Sequence, residues 1–360
     1  MKKLLILSIF PAPYRTKLFQ QFKDFYETDV FFERDNDDNR SSEWFVNDDF
    51  VVLNSGKARK FFRSRIHHIR EYDLVALYDY TSPRSIFLII LCIIMHIKFV
   101  VNCDGVILGI KQNKINSLVK KKLLPHASAC LASGEYAKQY FLSYGVKEDA
   151  IHIHPFTTLD DNDILDVPIE KEKKRLLRVK YDVSDDSIVF IAIGRYISLK
   201  NYTWLLNNWP EGNKYSLFLI GGGEEKEKYE EIIKERNLKN IRVCEYMPKE
   251  EILSHLQMAD FFIHPTTYDA WGLVVNEALS QGVPCAVSNK CIAGLELVKN
   301  GYNGFIFDYE VDCIPTILKK AEELIKSNKN LSKNALESIR GYTYGEMAAA
   351  HLRVFDSLLK

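Results

Sequence analysis

The sequence predicts a mixed α/β protein with two domains, each built on a parallel sheet covered by helices. Short, continuously apolar segments alternate with amphipathic segments along the chain, which is typical of parallel strands buried on both faces. The alternation is interrupted at residues 157–174 by polar turn residues and a charged run, which favours a domain boundary there. The length of 360 residues also favours two domains, at about 150 residues each.

The first domain is predicted to span residues 1–165. The apolar run from Leu4 to Phe10 predicts its first strand and not a signal peptide, because no small-residue cleavage site follows. The further predicted strands are residues 30–32, 74–78, 99–101, 129–131 and 151–153. The predicted helices are residues 17–25, 57–70, 115–124 and 135–143.

The second domain is predicted to span residues 166–342, with the same alternation. Its predicted strands are residues 188–193, 216–220, 241–244, 261–263 and 283–287. Its predicted helices are residues 226–236, 249–258, 273–281 and 314–327. In the last segment, residues 343–360, a helix is predicted at 345–358 and is expected to return to the first domain.

Composition excludes some functions and limits others. The formal net charge is zero, so nucleic-acid binding is not expected. Seven cysteines are scattered with no C-x-x-C pair. This pattern favours reduced thiols in a cytoplasmic protein over a disulfide or zinc framework.

Two features of the first domain raise the question of a membrane. Residues 50–130 contain thirteen basic and four acidic residues; this local excess suits an anionic membrane or a lipid-diphosphate acceptor, and a solvated surface equally well. The segment from Ile86 to Ile97 is apolar except for His96. It is shorter than the roughly 20 residues that cross a bilayer, so we interpret residues 84–97 as a buried helix, with shallow membrane insertion as the alternative.

The segment from His264 to Leu279 combines a strand end, a loop and a helix start. A helix beginning near Gly272 would present unpaired backbone N–H groups that suit a phosphate. Asp269 lies just before this helix and Glu277 about one and a half turns inside it. The open ends of parallel strands are where such folds bind ligands, so the two acids are candidates for gripping two parts of one ligand.

These residues resemble the retaining nucleotide-sugar glycosyltransferases of family 4, which have two Rossmann-like domains facing each other across a cleft (GT-B). That family has a motif of two glutamates separated by seven residues, followed by Gly-x-Pro; here the sequence has Asp269, Glu277 and then Gly282-Val283-Pro284. The resemblance implies that Glu277 contacts the donor ribose. It implies that Asp269 and the backbone at residues Trp271, Gly272 and Leu273 hold the donor sugar and diphosphate. The first acid is Asp where the family usually has Glu, which leaves the donor sugar open.

A second match follows the first strand of the second domain. The family has an Arg and a Lys five residues apart at the donor diphosphate, and here Arg195 and Lys200 follow Gly194. Fixed cations stabilise the charge that develops on a leaving nucleotide. The family often has Gly after the Lys, where this chain has Asn201. By position alone, the resemblance also places Tyr246 and Met247 near the nucleotide base.

In the first domain the resemblance points to Arg15 and Asp104. Arg15 follows the proline-containing loop after the first strand; it meets a phosphate of donor or acceptor, or it lies on a helix surface. Asp104 ends another strand on the same sheet edge; it contacts an acceptor hydroxyl or the donor sugar, or it belongs to an Asp-Gly turn. Both alternatives stay open at the level of sequence.

The resemblance therefore implies sugar transfer with retention of anomeric configuration from a nucleotide sugar, with a UDP-sugar favoured, to a glycan or lipid-linked acceptor in surface polysaccharide assembly. It implies a front-face route in which the departing phosphate helps to deprotonate the acceptor, with no cofactor and no metal. We interpret two Asp-x-Asp triplets, at residues 35–37 and 161–163, as solvated loops and not as a metal site.

Sugar transfer has three rival functions. A sugar-nucleotide epimerase on a similar scaffold would convert the donor without an acceptor. A sugar-binding module without catalysis would never release free nucleotide, and the set of Arg195, Lys200 and Glu277 argues against it. A flavin or nicotinamide enzyme would need a G-x-G-x-x-G after the first strand, where the chain has Pro11-Ala12-Pro13.

Overall fold

The structure is a computed structural model that describes residues 1–35, 50–106 and 114–360. It divides into two compact units, one formed by residues 1–158 with 343–360 and the other by residues 159–342. Each unit has its own parallel sheet. The prediction of two parallel α/β domains is confirmed.

The first unit has a sheet of seven described strands in the order β3-β2-β1-β4-β5-β6-β7. The strands are β1 (Lys3–Ser8), β2 (Glu27–Phe32), β3 (Val51–Val52), β4 (Leu74–Leu77), β5 (Phe99–Cys103), β6 (Ala129–Ala132) and β7 (Ile151–Ile153). The helices between them are α1 (Pro13–Phe22), α2 (Gly56–His67), α3 (Pro83–Met95), α4 (Lys114–Leu123) and α5 (Glu135–Ser143). In the register of the sheet, Ile6 of β1 lies between Val30 and Ala76.

The second unit has a sheet of six described strands in the order β10-β9-β8-β11-β12-β13. The strands are β8 (Ile188–Ile193), β9 (Tyr215–Ile220), β10 (Ile241–Cys244), β11 (Phe261–His264), β12 (Cys285–Ser288) and β13 (Gly304–Phe307). The helices are α6 (Lys171–Lys180), α7 (Tyr202–Asn208), α8 (Lys226–Glu235), α9 (Lys249–Met258), α10 (Leu273–Ser280), α11 (Ile292–Leu297), α12 (Ile314–Ser327) and α13 (Leu331–Ile339). Trp209, Tyr196, Tyr202 and Tyr229 are fully buried in the core of this unit.

Strand and helix chemistry explains these elements. The residues of β1 from Leu4 to Leu7 are fully buried, since a central parallel strand is covered on both faces and alternates no polar side chain to solvent. Helix α1 begins with Pro13, which suits the first helical position because its missing N–H would have no partner there. Helices α2 and α3 are N-capped by the side chains of Ser55 and Ser82.

The last helix, α14 (Tyr344–Leu359), packs against α1 within the first unit. The rings of Phe22 and Phe355 lie 5.4 Å apart, edge to face. The hydroxyl of Tyr26 donates to Asp356. An aromatic contact and a charged hydrogen bond thus fix the C-terminal helix on the first sheet.

The structure moves the boundary that the sequence suggested at residue 165. The second unit begins at Leu159. Residues 159–165 belong to it because Leu165 N donates to Ser280 O at 3.0 Å and Gln281 Nε2 donates to Asp163 O at 2.6 Å. These hydrogen bonds link residues far apart in sequence, so local composition does not show them.

The charged run after that boundary lies at the start of a helix. Residues 171–174 of this run begin α6, in which Lys174 and Arg178 pair with Asp260 directly before β11. The charged residues are therefore bound to the sheet of the second unit by ion pairs. The interruption of the alternation at residues 157–174 therefore contains the start of a helix that was not predicted from the sequence.

The sequence suggested that helix α3 is buried, but in the structure it is only half-buried. Its Leu88, Ile89 and Cys92 are buried against the sheet, whereas Phe87 and Ile94 are 56% and 69% exposed. A helix that covers one face of a sheet buries one stripe of side chains, so an all-apolar helix leaves apolar residues on its outer face. Among the described residues, no helix has the length and apolarity needed to cross a membrane.

Candidate functional site

The candidate site of the second unit centres on an ion pair between two of the residues that the sequence selected. Lys200 follows β8 and Asp269 follows β11, and these strands are neighbours in the sheet. Lys200 Nζ lies 2.5 Å from Asp269 Oδ2. The two side chains are only 14% and 18% exposed, so their charges attract each other with little screening by solvent.

A third side chain, His264 at the end of β11, binds the same carboxylate oxygen. Its Nε2–H donates to Asp269 Oδ2 at 3.0 Å, and its Nδ1 is a buried atom with no hydrogen-bond partner among the described residues. The imidazole is fully buried. This pattern fixes the tautomer with the proton on Nε2.

The charges of this cluster follow from burial and proximity. Burial and the positive charge of Lys200 lower the pKa of His264, against the effect of Asp269, so the imidazole is neutral. Burial alone would raise the pKa of Asp269, but Lys200 and the His264 N–H outweigh it and hold that pKa well below its usual value. The cluster is therefore one cation, one anion and one neutral ring.

The loops that hold the ion pair are joined to each other by hydrogen bonds. Leu199 O accepts from Thr266 Oγ1 at 2.8 Å and from Thr267 N at 2.9 Å. Asn201 has φ +58°, a left-handed conformation that glycine and asparagine adopt most readily. This explains why Asn stands here in place of the Gly that the family often has.

The N-terminus of α10 lies beside the ion pair. Its N-cap, Gly272, has φ +103°. A methyl group built on Gly272 would lie 2.6 Å from Cys291 Sγ and 3.5 Å from Asp269 Oδ2, so only glycine allows this approach. Among the described residues, no backbone acceptor bonds the N–H of Leu273 or Val274. Unpaired N–H groups and an ammonium group are thus brought to one place, as binding of a phosphate requires.

The predicted donor-site residues divide into those with accessible side chains and those that offer backbone only. Trp271 is buried and its indole N–H donates to Asn276 Oδ1 at 3.1 Å. Met247 is also buried, whereas Tyr246 is 68% exposed. Trp271 and Met247 can therefore offer only their backbone to a ligand, and Tyr246 can offer its ring.

The remaining predicted residues of the second unit lie on the same edge of the sheet. Gly194 ends β8, and its N–H donates to Ile220 O at 3.0 Å. Arg195 follows it and is half-buried, as is Glu277 within α10. The structure joins Lys200 to Asp269 by direct contact; it places Arg195 and Glu277 on the same edge by their positions in the loop and helix.

In the first unit, Arg15 and Asp104 form a buried ion pair between Arg15 Nη2 and Asp104 Oδ2. Arg15 is 4% exposed, so its interpretation as a helix-surface residue is wrong. Its guanidinium lies 4.3 Å from the centre of the Tyr78 ring, a favourable cation–π distance. Burial raises the pKa of Asp104, and the charge of Arg15 opposes that rise.

A chain of hydrogen bonds extends from this pair to the C-terminal helix. Asn102 Nδ2 donates to Asp104 Oδ1 at 2.7 Å, and His351 Nε2 of α14 lies 3.3 Å from Asn102 Oδ1. The ring of His154 lies 4.4 Å from that of His351. Burial lowers the pKa of His154 to about 4. The orientation of Asp104 therefore depends on residues of β5, α1 and α14.

A recess of about 300 Å³ opens at the carboxyl edge of the first sheet. The residues that line it are Ile9, Glu33, Arg34, Asp79, Thr81 and Ser82. Asp79 accepts hydrogen bonds from Thr81 and Ser82, and Glu33 pairs with Arg84, so both carboxylates of the recess already have partners within the protein.

Metal ligation has one candidate cluster among the described residues. Ligand atoms of His264, Asp269 and Cys291 lie within 4.8 Å of one another. The ammonium of Lys200 already binds the carboxylate of this group, so a metal ion would have to displace it. Of the two Asp-x-Asp triplets, residues 36 and 37 lie outside the described residues. In the other triplet, Asp163 pairs with Lys249, so it is not merely solvated.

Sequence reasoning missed His264, Thr266 and Thr267. All three lie in the segment that the sequence singled out, directly after a predicted strand on its open edge. A polar residue closing an apolar strand was the available indication for His264. Its contact with Asp269 spans five residues across a loop, and no periodic pattern shows such a contact.

Comparison with known protein families finds a similarity in the second unit. Its residues 173–338 match the model of the family described as glycosyl transferases group 1. This part of the chain is therefore similar to the glycosyl transferases group 1 family. The match contains both strands, both loops and the helix N-terminus that build the Lys200–Asp269 site.

Individual relatives agree with this assignment. The chain is 26% identical over 194 residues to a glycosyltransferase of Methanocaldococcus jannaschii, which is 50% of this chain and 49% of that protein. It is 23% identical over 251 residues to the N,N'-diacetylbacillosaminyl-diphospho-undecaprenol alpha-1,3-N-acetylgalactosaminyltransferase of Campylobacter jejuni, or 68% of this chain and 64% of that protein. The matches thus span about half to two thirds of these relatives.

The fold is shared with solved structures over nearly the whole chain. Anabaena HepE in complex with UDP aligns with a TM-score of 0.78 at 15% identity, covering 99% of this chain and 100% of that one. The two Rossmann-like domains are therefore those of the GT-B fold.

Proposed function

We propose that this protein is a retaining glycosyltransferase that transfers a sugar, of the hexosyl type, from a UDP-sugar to a glycan or lipid-linked acceptor in surface polysaccharide biosynthesis. The observation that supports this proposal most directly is the Lys200–Asp269 pair beside the open N-terminus of α10. A cation, unpaired N–H groups and a carboxylate at one sheet edge suit a diphosphate joined to a sugar.

The proposed roles follow from the chemistry of each group. Lys200 and Arg195 stabilise the diphosphate as it gains charge during departure. Asp269 accepts a hydrogen bond from the donor sugar, and Glu277 holds the ribose. The departing phosphate helps to deprotonate the acceptor on the same face of the sugar, which retains the anomeric configuration, and no metal or other cofactor takes part.

The acceptor is assigned to the first unit. Its buried Arg15–Asp104 pair and its recess of about 300 Å³ offer charged and polar groups at the carboxyl edge of a parallel sheet, where ligands of such folds bind. The name of the Campylobacter relative describes transfer to a sugar on a lipid diphosphate, which supports a lipid-linked acceptor for this chain.

A direct assay tests the proposal. The purified protein is incubated with a panel of nucleotide sugars, with and without acceptor extracts, and nucleotide release is measured. We expect release of UDP that depends on acceptor, with a product of the same anomeric configuration as the donor by NMR. Conversion of the donor sugar without any acceptor would support the epimerase instead, and binding without release of nucleotide would support a non-catalytic module.

We also propose that the first unit contacts an anionic membrane at its cytoplasmic face. Exposed apolar side chains of α3 (Phe87, Ile94) and of α4 (Ile115, 71% exposed) accompany the exposed Lys121 and Lys122 at the end of α4. Apolar side chains with nearby lysines suit a surface of anionic lipid.

Flotation with vesicles of anionic and of neutral lipid tests this contact. Ile94→Glu is expected to reduce flotation with anionic vesicles. Val311→Glu replaces an exposed apolar residue of the second unit and serves as the matched control. Equal flotation of both variants, or none for the wild-type protein, would contradict the proposed contact.

A further inference from the structure

The ion pair of the second unit has an unusual arrangement of partners. Lys200 Nζ and His264 Nε2 bind the same oxygen, Asp269 Oδ2, and among the described residues no hydrogen bond reaches Oδ1. Both partners of this carboxylate are therefore on one side of it. The other oxygen is left to accept a hydrogen bond from outside the protein.

The pair is electrically neutral before any ligand binds. Asp269 is ionised, because its pKa is held well below the usual value, and His264 adds no charge. A diphosphate that arrives near Lys200 therefore meets a cation whose charge is already cancelled. The free energy that the diphosphate gains by pairing with Lys200 is offset by the free energy that Asp269 loses when its ion pair breaks.

We propose that Asp269 is a counter-ion that competes with free nucleotide for Lys200. When a nucleotide sugar binds, Lys200 pairs with its diphosphate, and a hydroxyl of the sugar replaces the ammonium as the hydrogen-bond donor to Asp269. This inference rests on the proposed function and concerns how that site distinguishes donor from product. His264 is a positioning residue in this exchange, because its N–H stays on Oδ2 when the ammonium leaves.

The exchange favours the donor over the spent nucleotide for a simple reason. When Lys200 moves to a diphosphate, the largely buried carboxylate loses a charged partner, and such a loss is costly. A nucleotide sugar compensates with a hydroxyl donor, whereas a free nucleoside diphosphate offers no hydroxyl at that position. Once the sugar has been transferred, Lys200 pairs with Asp269 again. Its interaction with the diphosphate of the remaining nucleotide weakens, which promotes release of that nucleotide.

Calorimetric titration with UDP, and with the UDP-sugar that the enzyme uses, tests the proposal in four proteins: wild type, Asp269→Asn, Lys200→Met and the double variant. Asp269→Asn is expected to bind UDP about tenfold more tightly than wild type, because one charged hydrogen bond no longer competes for Lys200. Lys200→Met is expected to bind UDP at most about threefold more weakly than wild type, because Asp269 already cancels the charge that this substitution removes. The double variant is expected to match wild type within about threefold, because a neutral pair replaces a neutral pair.

The double variant separates this exchange from simple repulsion between Asp269 and phosphate. If Asp269→Asn raises UDP affinity by the same factor when Lys200 is already Met, the gain does not pass through Lys200 and the inference is wrong. The double variant also removes both charges together, so it keeps the test available if Asp269→Asn alone does not fold. A double variant that binds UDP tenfold more weakly than wild type would equally overturn the inference.

Asp260→Asn is the matched control. Asp260 pairs with Lys174, and its side chain is 19% exposed against 18% for Asp269, but it lies at the opposite end of β11. We expect its loss to leave UDP affinity unchanged. If wild-type protein binds neither UDP nor any nucleotide sugar, the proposed function fails together with this inference; if it binds both and Asp269→Asn gains no UDP affinity, only this inference fails.

Discussion

Replacement of Gly272 by alanine tests whether the approach of α10 to the ion pair depends on the absence of a side chain. Gly272 has φ +103°, and an added methyl group would lie 2.6 Å from Cys291 Sγ. The sulfur cannot move away freely, because it is fully buried and its S–H donates to Trp271 O at 3.0 Å. The substitution therefore strains the backbone and forces a local displacement.

The cost has two parts. A left-handed backbone costs an alanine about 1–2 kcal/mol relative to glycine. Moving the sulfur or the helix by roughly 1 Å to relieve the overlap costs about 1–3 kcal/mol, as overpacking in a core does. We expect a loss of about 2–5 kcal/mol in the free energy of unfolding, or about 5–15 °C in Tm for a unit of this size. UDP affinity should also fall, since the helix N-terminus is displaced.

Urea unfolding and UDP titration of two further variants separate these parts. Gly301→Ala is the matched control: Gly301 has φ +79° and nothing within 4 Å of an added methyl group, so it should show the backbone cost alone. Cys291→Ala combined with Gly272→Ala should recover about 1–2 kcal/mol of the loss through relief of the overlap. Equal losses for Gly272→Ala and Gly301→Ala, or no recovery in the double variant, would refute the role given to the sulfur contact.

Three further predictions concern charge. Lys200→Met should lower turnover about 10²–10³-fold and lower Tm, and adding Asp269→Asn should restore Tm but not turnover; turnover within about threefold of wild type would contradict the assigned role. The pKa of His154 is lowered to about 4, so the folded state favours its neutral form. The free energy of unfolding is therefore undiminished by His154 above pH 6.5 and falls as the pH drops toward 4, by up to about 3 kcal/mol. Urea unfolding at pH 7 and pH 5 should show a smaller loss of stability for His154→Phe than for wild type. Arg15→Met should destabilise the first unit by about 3 kcal/mol through the unpaired Asp104, and Asp104→Asn in the same protein should recover most of that loss in a thermal shift assay.

Much of the fold could be predicted because parallel strands that are covered on both faces are continuously apolar. Strands β8 and β9 correspond closely to their predicted segments for this reason. The strands that the sequence did not show were β3, which has two residues, and β13, which has four. Helix α6 was not predicted, because it is held by long-range contacts from Lys174 and Arg178 to Asp260 that no local pattern shows.

The sequence predicted which residues belong to the candidate site, but it did not predict which of them contact each other. Sequence spacing and family resemblance selected Lys200 and Asp269 separately, for two different parts of a ligand. The structure shows that they bind each other. The end of β8 at Ile193 and the start of β11 at Phe261 are separated by 67 residues along the chain, but the two strands are neighbours in the sheet. In the first unit, Arg15 and Asp104 were likewise selected separately and are likewise joined.

Two departures from the family pattern concern the Lys200–Asp269 pair: Asn201 follows the lysine, and Asp269 is the acid of the pair. Physical chemistry accounts for both. Asn201, in place of glycine, keeps φ +58° and so allows the chain to turn directly after Lys200. Asp269, in place of glutamate, is one methylene shorter, and His264 donates to it from the end of β11, the strand that precedes its own loop. A shorter acid held by a buried donor has less freedom to follow a departing ammonium than a longer, unsupported one. The shorter side chain is therefore compatible with a carboxylate that stays in place while its counter-ion moves, which is the property that selective release of the spent nucleotide would require.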